Sequence, residues 1–310
     1  MRDFGLQIWF SLKHDGAMTR YNDKEKIRDH YDRVSPYYHK LWGEHLHHGY
    51  WIGGDETKEE AQLQLIEHLA RVAHMPSGCT ILDVGCGFGA SSIYLAKQYK
   101  ARATGITISP VQVEMANQAA ERANASAKFM LMDAEAISFK KPFDVIWSVE
   151  SISHYPNQEK FFASAAKLMR PDGTMAITDW FKKDGLTPGE YKKFLEPIEK
   201  GMLVELHTME EYENLMNENG LEVVKTEILN KRCAKTWDLC LDIIKNKAFW
   251  AIAVQNGVAF VHYLKAFKAM REGFASGNFI YGLMIAKKPE EMKSYSEQLR
   301  APESKARQDV

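Results

Sequence analysis

The residues best suited to chemistry stand in four short segments. Asp83-Val84-Gly85-Cys86-Gly87-Phe88-Gly89 joins a strand-like run to a helix-like one. Glycines let a backbone turn tightly and approach a ligand closely, and a helix start offers unpaired N–H groups. Gly85-x-Gly87-x-x-Ala90 also satisfies the dinucleotide fingerprint. Asp83 shifts that balance, because a carboxylate two residues before the first glycine repels a pyrophosphate and attracts the ammonium of an amino acid. Gly105–Gln112 carries Thr107 where many nucleoside sites place an acid for the ribose hydroxyls. Ribose contacts are therefore expected from Thr107 and Gln112, and the missing acid counts against NAD. Asp133-Ala134-Glu135 places Asp133 to accept from an adenine amino group, unless it simply caps a turn. Trp147–His154 brings Ser148, Glu150 and His154 to the end of a further strand.

The elements that must position these groups alternate. Strands are expected at Thr80–Val84, Arg102–Thr107, Lys128–Met132, Phe143–Val149, Thr174–Asp179, Leu221–Ile228 and Phe279–Ala286. Thr57–His74 carries Leu65, Ile66, Leu69 and Val72 at helical spacing. Ala90–Gln98 follows the glycine turn, and Ser109-Pro110 opens a helix with an N-cap and a proline at its first position. Strand–helix alternation predicts an α/β, doubly wound sheet that binds ligands at the carboxyl ends of its strands. Residues 181–207 and 230–275 break the rhythm and are expected to form a helical cap. Residues 1–25 are expected to be an arm that packs on another part of the chain or on a partner subunit, where Trp9 and Phe10 would suit a homodimer contact. Residues 26–287 make the main domain, and the charged stretch 288–310 is expected to be a flexible tail.

Composition narrows the partners. The chain has 310 residues, is 45% hydrophobic, and balances 40 basic against 41 acidic side chains. That balance argues against nucleic acid as the main partner. The apolar run at the start is short for a signal peptide, and no stretch approaches a membrane span. Cys79, Cys86, Cys233 and Cys240 show no metal or redox spacing, as expected of reduced thiols in a cytoplasmic protein.

Asp83–Gly89, Gly105–Gln112, Asp133-Ala134 and Trp147–His154, at these spacings, resemble the class I S-adenosylmethionine (SAM)-dependent methyltransferases. Leu41–Trp51 and Thr236-Trp237-Asp238 narrow the likeness to the γ-tocopherol methyltransferase-like group, which methylates carbons or nitrogens of small molecules. More distantly the chain is similar to sterol methyltransferases and cyclopropane-fatty-acid synthases. The resemblance implies a Rossmann-like sheet of seven strands with the last antiparallel, SAM as cofactor and no metal. It places Asp83, Gly85, Cys86, Gly87, Gly89, Thr107, Gln112, Asp133, Ala134 and Ser148 around that cofactor. It also folds residues 26–56, rich in Tyr, Trp and His, over the cofactor as a lid, with Tyr31 or Tyr38 facing the methionine moiety. Aromatic faces attract cations such as a sulfonium; the same residues would equally make a helix-packing surface. His45, His47 and His48 lack the spacing of a metal site.

Methyl transfer from a sulfonium is an in-line displacement, so the protein must align the reactants, exclude water and accept any proton released. His154 and Glu150 lead as base or acceptor-orienting groups, imidazole being the more natural base near neutrality. His47 and His48 from the lid, and Trp180 after the fifth strand, are expected to touch the acceptor. Leu203, Leu206, Trp250, Val254, Phe260, Tyr263 and Phe267 of the cap suit an apolar pocket or a second core about equally. The expected reaction is methylation of a carbon or nitrogen in a small, largely apolar acceptor. Its alternative is C-methylation of an isoprenoid or fatty-acyl double bond through a carbocation; an isoprenoid diphosphate would need basic residues such as Lys182, Lys183, Lys192, Lys193, Lys231 and Arg232. Outside this class stand an NAD-dependent oxidoreductase and a non-catalytic SAM-binding protein.

Overall fold

The computed structural model describes residues 21–243, 245, 262 and 264–289. Most of the arm, including Trp9 and Phe10, the tail from 290, and the cap residues Trp250, Val254, Phe260 and Tyr263 lie outside the described residues. Among the described residues, seven strands form one sheet: β1 Thr80–Val84, β2 Arg102–Thr107, β3 Ala127–Leu131, β4 Phe143–Val149, β5 Met169–Lys182, β6 Glu222–Ile228 and β7 Phe279–Lys287. Their order is β3-β2-β1-β4-β5-β7-β6. The first five run parallel, and β7 inserts antiparallel between β5 and β6. This is the Rossmann-like arrangement expected. Strand β5 is longer than its apolar run, because β7 pairs with it from Thr174 to Lys182. Residues 181 and 182 therefore belong to the sheet and not to the cap.

Alternation along each strand separates two cores. On one face Ile81, Val145, Trp147, Ala176 and Tyr281 pack with Leu65 and Leu69, from the helix α2 described below, and with Leu195 and Ile198. On the other, Leu82, Ile146, Ile177, Phe181 and Met284 pack with Phe161, Phe162 and Tyr212. Burial on both faces is what parallel strands require, and it fixes register, since a one-residue slip would exchange the two sets.

The helices start where local chemistry allows. Asp23 caps α1 (Lys24–Trp42) by accepting from the Lys26 amide. Thr57 and Glu60 form a reciprocal capping box at the start of α2 (Lys58–Val72). Gly89 precedes α3 (Ala90–Gln98), and Ser109 caps α4 (Pro110–Ala123) with Pro110 in its first turn. Asn157 caps α5 (Gln158–Lys167). Helix α1 begins at Lys24, and the fully buried Asn22 before it donates to the Tyr155 carbonyl at 3.1 Å. Helix α1 buries Ile27, Val34 and Ser35, and lies across the carboxyl ends of the strands. No described helix is long and apolar enough to cross a membrane.

Candidate active site

A cavity of about 430 Å³ opens at the carboxyl ends of β1, β2 and β4. Its floor is the glycine turn and its roof is α1 with the following loop. Gly85 adopts φ +77°, and a Cβ there would lie 2.2 Å from Ser151 Oγ, so neither backbone nor space admits a side chain. Asp83 is 3% exposed and accepts from Ser92 Oγ at 2.7 Å. Burial pushes its carboxyl up to about 7, against the pull of the Ser92 bond. Among the described residues no basic side chain pairs with it. A buried carboxylate without a counter-ion is costly, and a ligand ammonium at the glycine turn removes that cost. The residues present therefore fit the amino-acid end of SAM.

Farther along the cavity, Thr107 Oγ1 donates to Gln112 Oε1 at 2.7 Å, and both residues line the wall. Asp133 and Ala134 line it too. Asp133 does cap a turn, accepting from the Glu135 amide, yet its second oxygen holds Lys24 Nζ at 2.7 Å. Lys24 also reaches Glu135 at 2.6 Å, and the two carboxylates keep its ammonium above the usual lysine range although burial opposes this. The far end of the cavity is thus closed by an ion pair between α1 and the turn after β3, a contact that sequence spacing does not reveal.

Two residues expected at the cofactor, Ser148 and Gly89, lie off the cavity wall. Ser148 is fully buried and outside the cavity wall; its hydroxyl bonds the Val84 carbonyl and Ser151 Oγ, bracing β4 against β1. Ser151 and Tyr155 stand at the cavity in its place, joined at 2.7 Å. Gly89 is likewise off the wall and serves packing, since a Cβ there would strike the Phe129 ring at 2.4 Å. Cys86 and Gly87 line the cavity.

His154, Tyr31 and Tyr38 all reach it. His154 Nδ1 donates to the Leu203 carbonyl at 3.1 Å, so Nε2 accepts from the Tyr31 hydroxyl at 3.0 Å. Burial lowers His154 to about 4, only partly opposed by the Leu203 bond and Glu150, so the ring is neutral. Tyr31 couples the lid to the strand mouth. His154 becomes available as a base only when that hydroxyl moves.

Glu150 corrects a further expectation. It sits at φ +51° with both carboxylate oxygens engaged. One accepts from the His48 amide at 2.6 Å, from His48 Nδ1 at 2.9 Å and from Tyr281 at 2.7 Å; the other accepts from Trp180 Nε1 at 3.2 Å. Burial would raise this carboxyl, but His48, with help from His47, holds it below the usual range. A carboxylate so engaged anchors His48 and its loop to β5 and β7. His47 is also committed: its Nδ1 donates to the His48 carbonyl at 2.8 Å and its Nε2 accepts from His45 Nδ1 at 3.1 Å. Only ring carbons of His47 remain for an acceptor. Gln62 of α2 holds the loop by donating to the carbonyls of His45 and His47.

The remaining wall is aromatic. His48 stacks on Tyr281 with ring centres 4.3 Å apart and meets Trp237 edge-on at 4.7 Å; Trp180 and Phe267 complete it. His48 Nε2 and Trp237 Nε1 are both buried without a hydrogen-bond partner among the described residues. None of Lys182, Lys183, Lys192, Lys193, Lys231 and Arg232 lines the cavity. Lys182 pairs with Glu211 at 3.1 Å.

With this geometry in place, comparisons with known proteins agree. The family model described as mycolic acid cyclopropane synthetase matches residues 18–280. The 27-O-demethylrifamycin SV methyltransferase of Amycolatopsis mediterranei is 31% identical over 266 residues, covering 84% of this chain and 96% of its own. The chloroplastic tocopherol O-methyltransferase of Arabidopsis thaliana is 29% identical, covering 86% and 82%. Among solved structures, a mycolic acid cyclopropane synthase in complex with SAH and CTAB superposes with TM-score 0.76 at 24% identity, over 88% of this chain and all of that one, which speaks for the fold. The chain belongs to the mycolic acid cyclopropane synthetase family of class I SAM-dependent methyltransferases.

Proposed function

We propose that this methyltransferase acts on a ring-bearing, largely apolar small molecule that lies against the wall of Trp180, Trp237, His48 and Phe267. The observation that carries this reading is the continuity of one cavity, with Asp83, which has no basic partner among the described residues, and the glycine turn at one end and the aromatic wall at the other. Bound SAM supplies an electrophilic methyl on a sulfonium. Asp83 holds the ammonium, Thr107 with Gln112 and Asp133 with Ala134 hold the nucleoside, and Tyr31 and Tyr38 cover it. Cys86 and Gly87 present the turn backbone. Closure of α1 excludes water from the reacting atoms.

Relatives named for demethylrifamycin and tocopherol support a small-molecule acceptor, and their names add oxygen to the carbon and nitrogen expected from sequence. For an isoprenoid diphosphate, none of the six basic residues expected to serve it lines the cavity, while Lys24 and Lys200 are the described lysines that do. Four buried free cysteines support a reducing, cytoplasmic setting. The test is incubation with SAM carrying a trideuterated methyl and a panel of phenols, amines and unsaturated lipids, read by mass spectrometry. Transfer of all three deuteriums to a ring-bearing acceptor is the expected result. Label confined to lipids, or loss of one deuterium, would overturn it in favour of double-bond chemistry.

A further inference from the structure

The rim of the cavity carries a cation that no described carboxylate balances. Of the two described lysines on the wall, Lys24 is held by Asp133 and Glu135. Lys200, in the last turn of the short helix Glu196–Met202, is exposed and has no described ion-pair partner. The next three residues, Gly201, Met202 and Leu203, line the cavity as well, and the Leu203 carbonyl accepts from His154. Against them packs the helical stretch 264–276, which supplies Phe267 to the aromatic wall. The approach is close, since a Cβ on Gly201 would lie 2.6 Å from Ala266 Cβ and 2.7 Å from the His262 carbonyl oxygen. Lys200 therefore belongs to the acceptor end of the cavity, beside the segments that carry His154 and Phe267, and not to the glycine turn.

The charge at this rim is of one sign. His262 lines the cavity too. Burial first, and then the ammonium groups of Lys200 and Lys265, hold its imidazole below the usual histidine range, and no carboxylate opposes them. Farther along the same stretch, Lys268 pairs with Glu272 at 3.8 Å and Arg271 with Asp238 at 2.8 Å, so the cations away from the rim are balanced. The exposed acid on the wall, Glu44, stands on the loop after α1 and makes no ion pair with Lys200. Inside the cavity the buried carboxylates of Asp83 and Glu150 form part of the wall. An anion placed there would meet like charge and lose its hydration. At the rim it keeps water on one side and gains a counter-charge on the other.

We propose that the acceptor carries a carboxylate, held by Lys200 at the rim while its ring lies against the aromatic wall. The inference rests on the apolar-ring reading of the cavity and adds the polar end of the molecule. One uncommitted ammonium on the wall matches a single negative charge. An acceptor bound in this way enters ring first, so the carboxylate is a handle and the methyl goes to the ring end.

The test uses full-length enzyme saturated with SAH and two probes of nearly equal size, 4-phenylbutyrate and 4-phenylbutyramide. Binding is followed by calorimetry at neutral pH, where the carboxylate is ionised. At low salt, wild type is expected to bind the acid about three- to fivefold more tightly than the amide, the scale of one solvent-exposed ion pair. Added salt should shrink that preference. Lys200→Met should erase it, and Lys200→Glu should reverse it in favour of the amide. Lys231→Met removes one positive charge from a surface away from this cavity and should leave the preference intact. Retained SAH binding certifies that each variant is folded. Equal affinity for the two probes in wild type, a preference that survives Lys200→Met, or an equal loss in Lys231→Met overturns the carboxylate handle and leaves the apolar-ring reading standing. If SAH binds and neither probe does, the apolar-ring reading falls and the handle with it.

Discussion

The Tyr31 hydroxyl on α1 lies 3.0 Å from His154 Nε2 at the mouth of β4, joining groups 123 residues apart. Because His154 Nδ1 already donates to the Leu203 carbonyl, the Tyr31 bond is what ties the imidazole lone pair to α1.

Tyr31→Phe removes the bond and leaves a buried acceptor without its donor, a loss of about 1–3 kcal/mol. On the proposed closure of α1 over the cofactor, SAM affinity should weaken about three- to tenfold. Isothermal calorimetry with SAM checks this, and unchanged affinity would show that Tyr31 does not hold the lid shut.

Lys24 and Asp133 separate two roles that one carboxylate appears in. Lys24→Met removes the ion pair to Asp133 and Glu135 but leaves Asp133 in place. The Lys24–Asp133 pair is more than a third exposed on both sides, so its worth is about 1 kcal/mol at most and falls with added salt. Asp133→Ala loses the same pair and, on the proposed placement of the nucleoside, the adenine contact as well. Its effect on SAM affinity should therefore exceed that of Lys24→Met and persist at high salt. Equal effects of the two substitutions would remove Asp133 from the adenine site.

Asp83 makes cofactor binding and stability depend on pH in opposite senses. Its folded-state pKa is raised to about 7 by burial, above the unfolded value, so the native protein binds this proton more tightly. The corresponding stability is full in acid and is lost as pH rises through about 7. On the proposed ammonium contact SAM needs the ionised carboxylate, so its affinity should rise from about pH 6 to about pH 7.5. Asp83→Asn should flatten that rise, and Asp83→Ala should weaken SAM binding at least about tenfold, the scale of losing one charge-assisted hydrogen bond. Calorimetry across this range is the measurement. A wild-type affinity independent of pH would displace the ammonium from Asp83.

Gly85→Ala places a methyl group against Ser151 in a backbone region that L side chains rarely adopt. The combined strain and overlap should destabilise the fold by about 2 kcal/mol or more. A denaturant midpoint shifted by less than the wild-type measurement error would contradict the packing described for the turn.

What could be read from the sequence alone is what depends on near neighbours along the chain. The glycine turn follows from residues 83–89, the helix starts from caps such as Thr57 with Glu60 and Ser109 with Pro110, and the strands from apolar runs. These are local hydrogen bonds and local periodicities, so spacing suffices to find them. The sheet's antiparallel β7 and the cofactor were reached by resemblance to a family whose motifs lie in those same segments. Tertiary structure decided which side chains are left over for chemistry. Glu150 looks free in sequence, yet His48, 102 residues away, and Tyr281, 131 residues away, fill its lone pairs. Ser148 looks like a mouth residue until Ser151 and the Val84 carbonyl claim its hydroxyl. His48, by contrast, keeps an Nε2 that no described partner meets, because Glu150 engages its Nδ1. A polar group's chemistry depends on which of its donors and acceptors are already paired. Folding makes those pairs between segments far apart in the chain, where spacing carries no record of them.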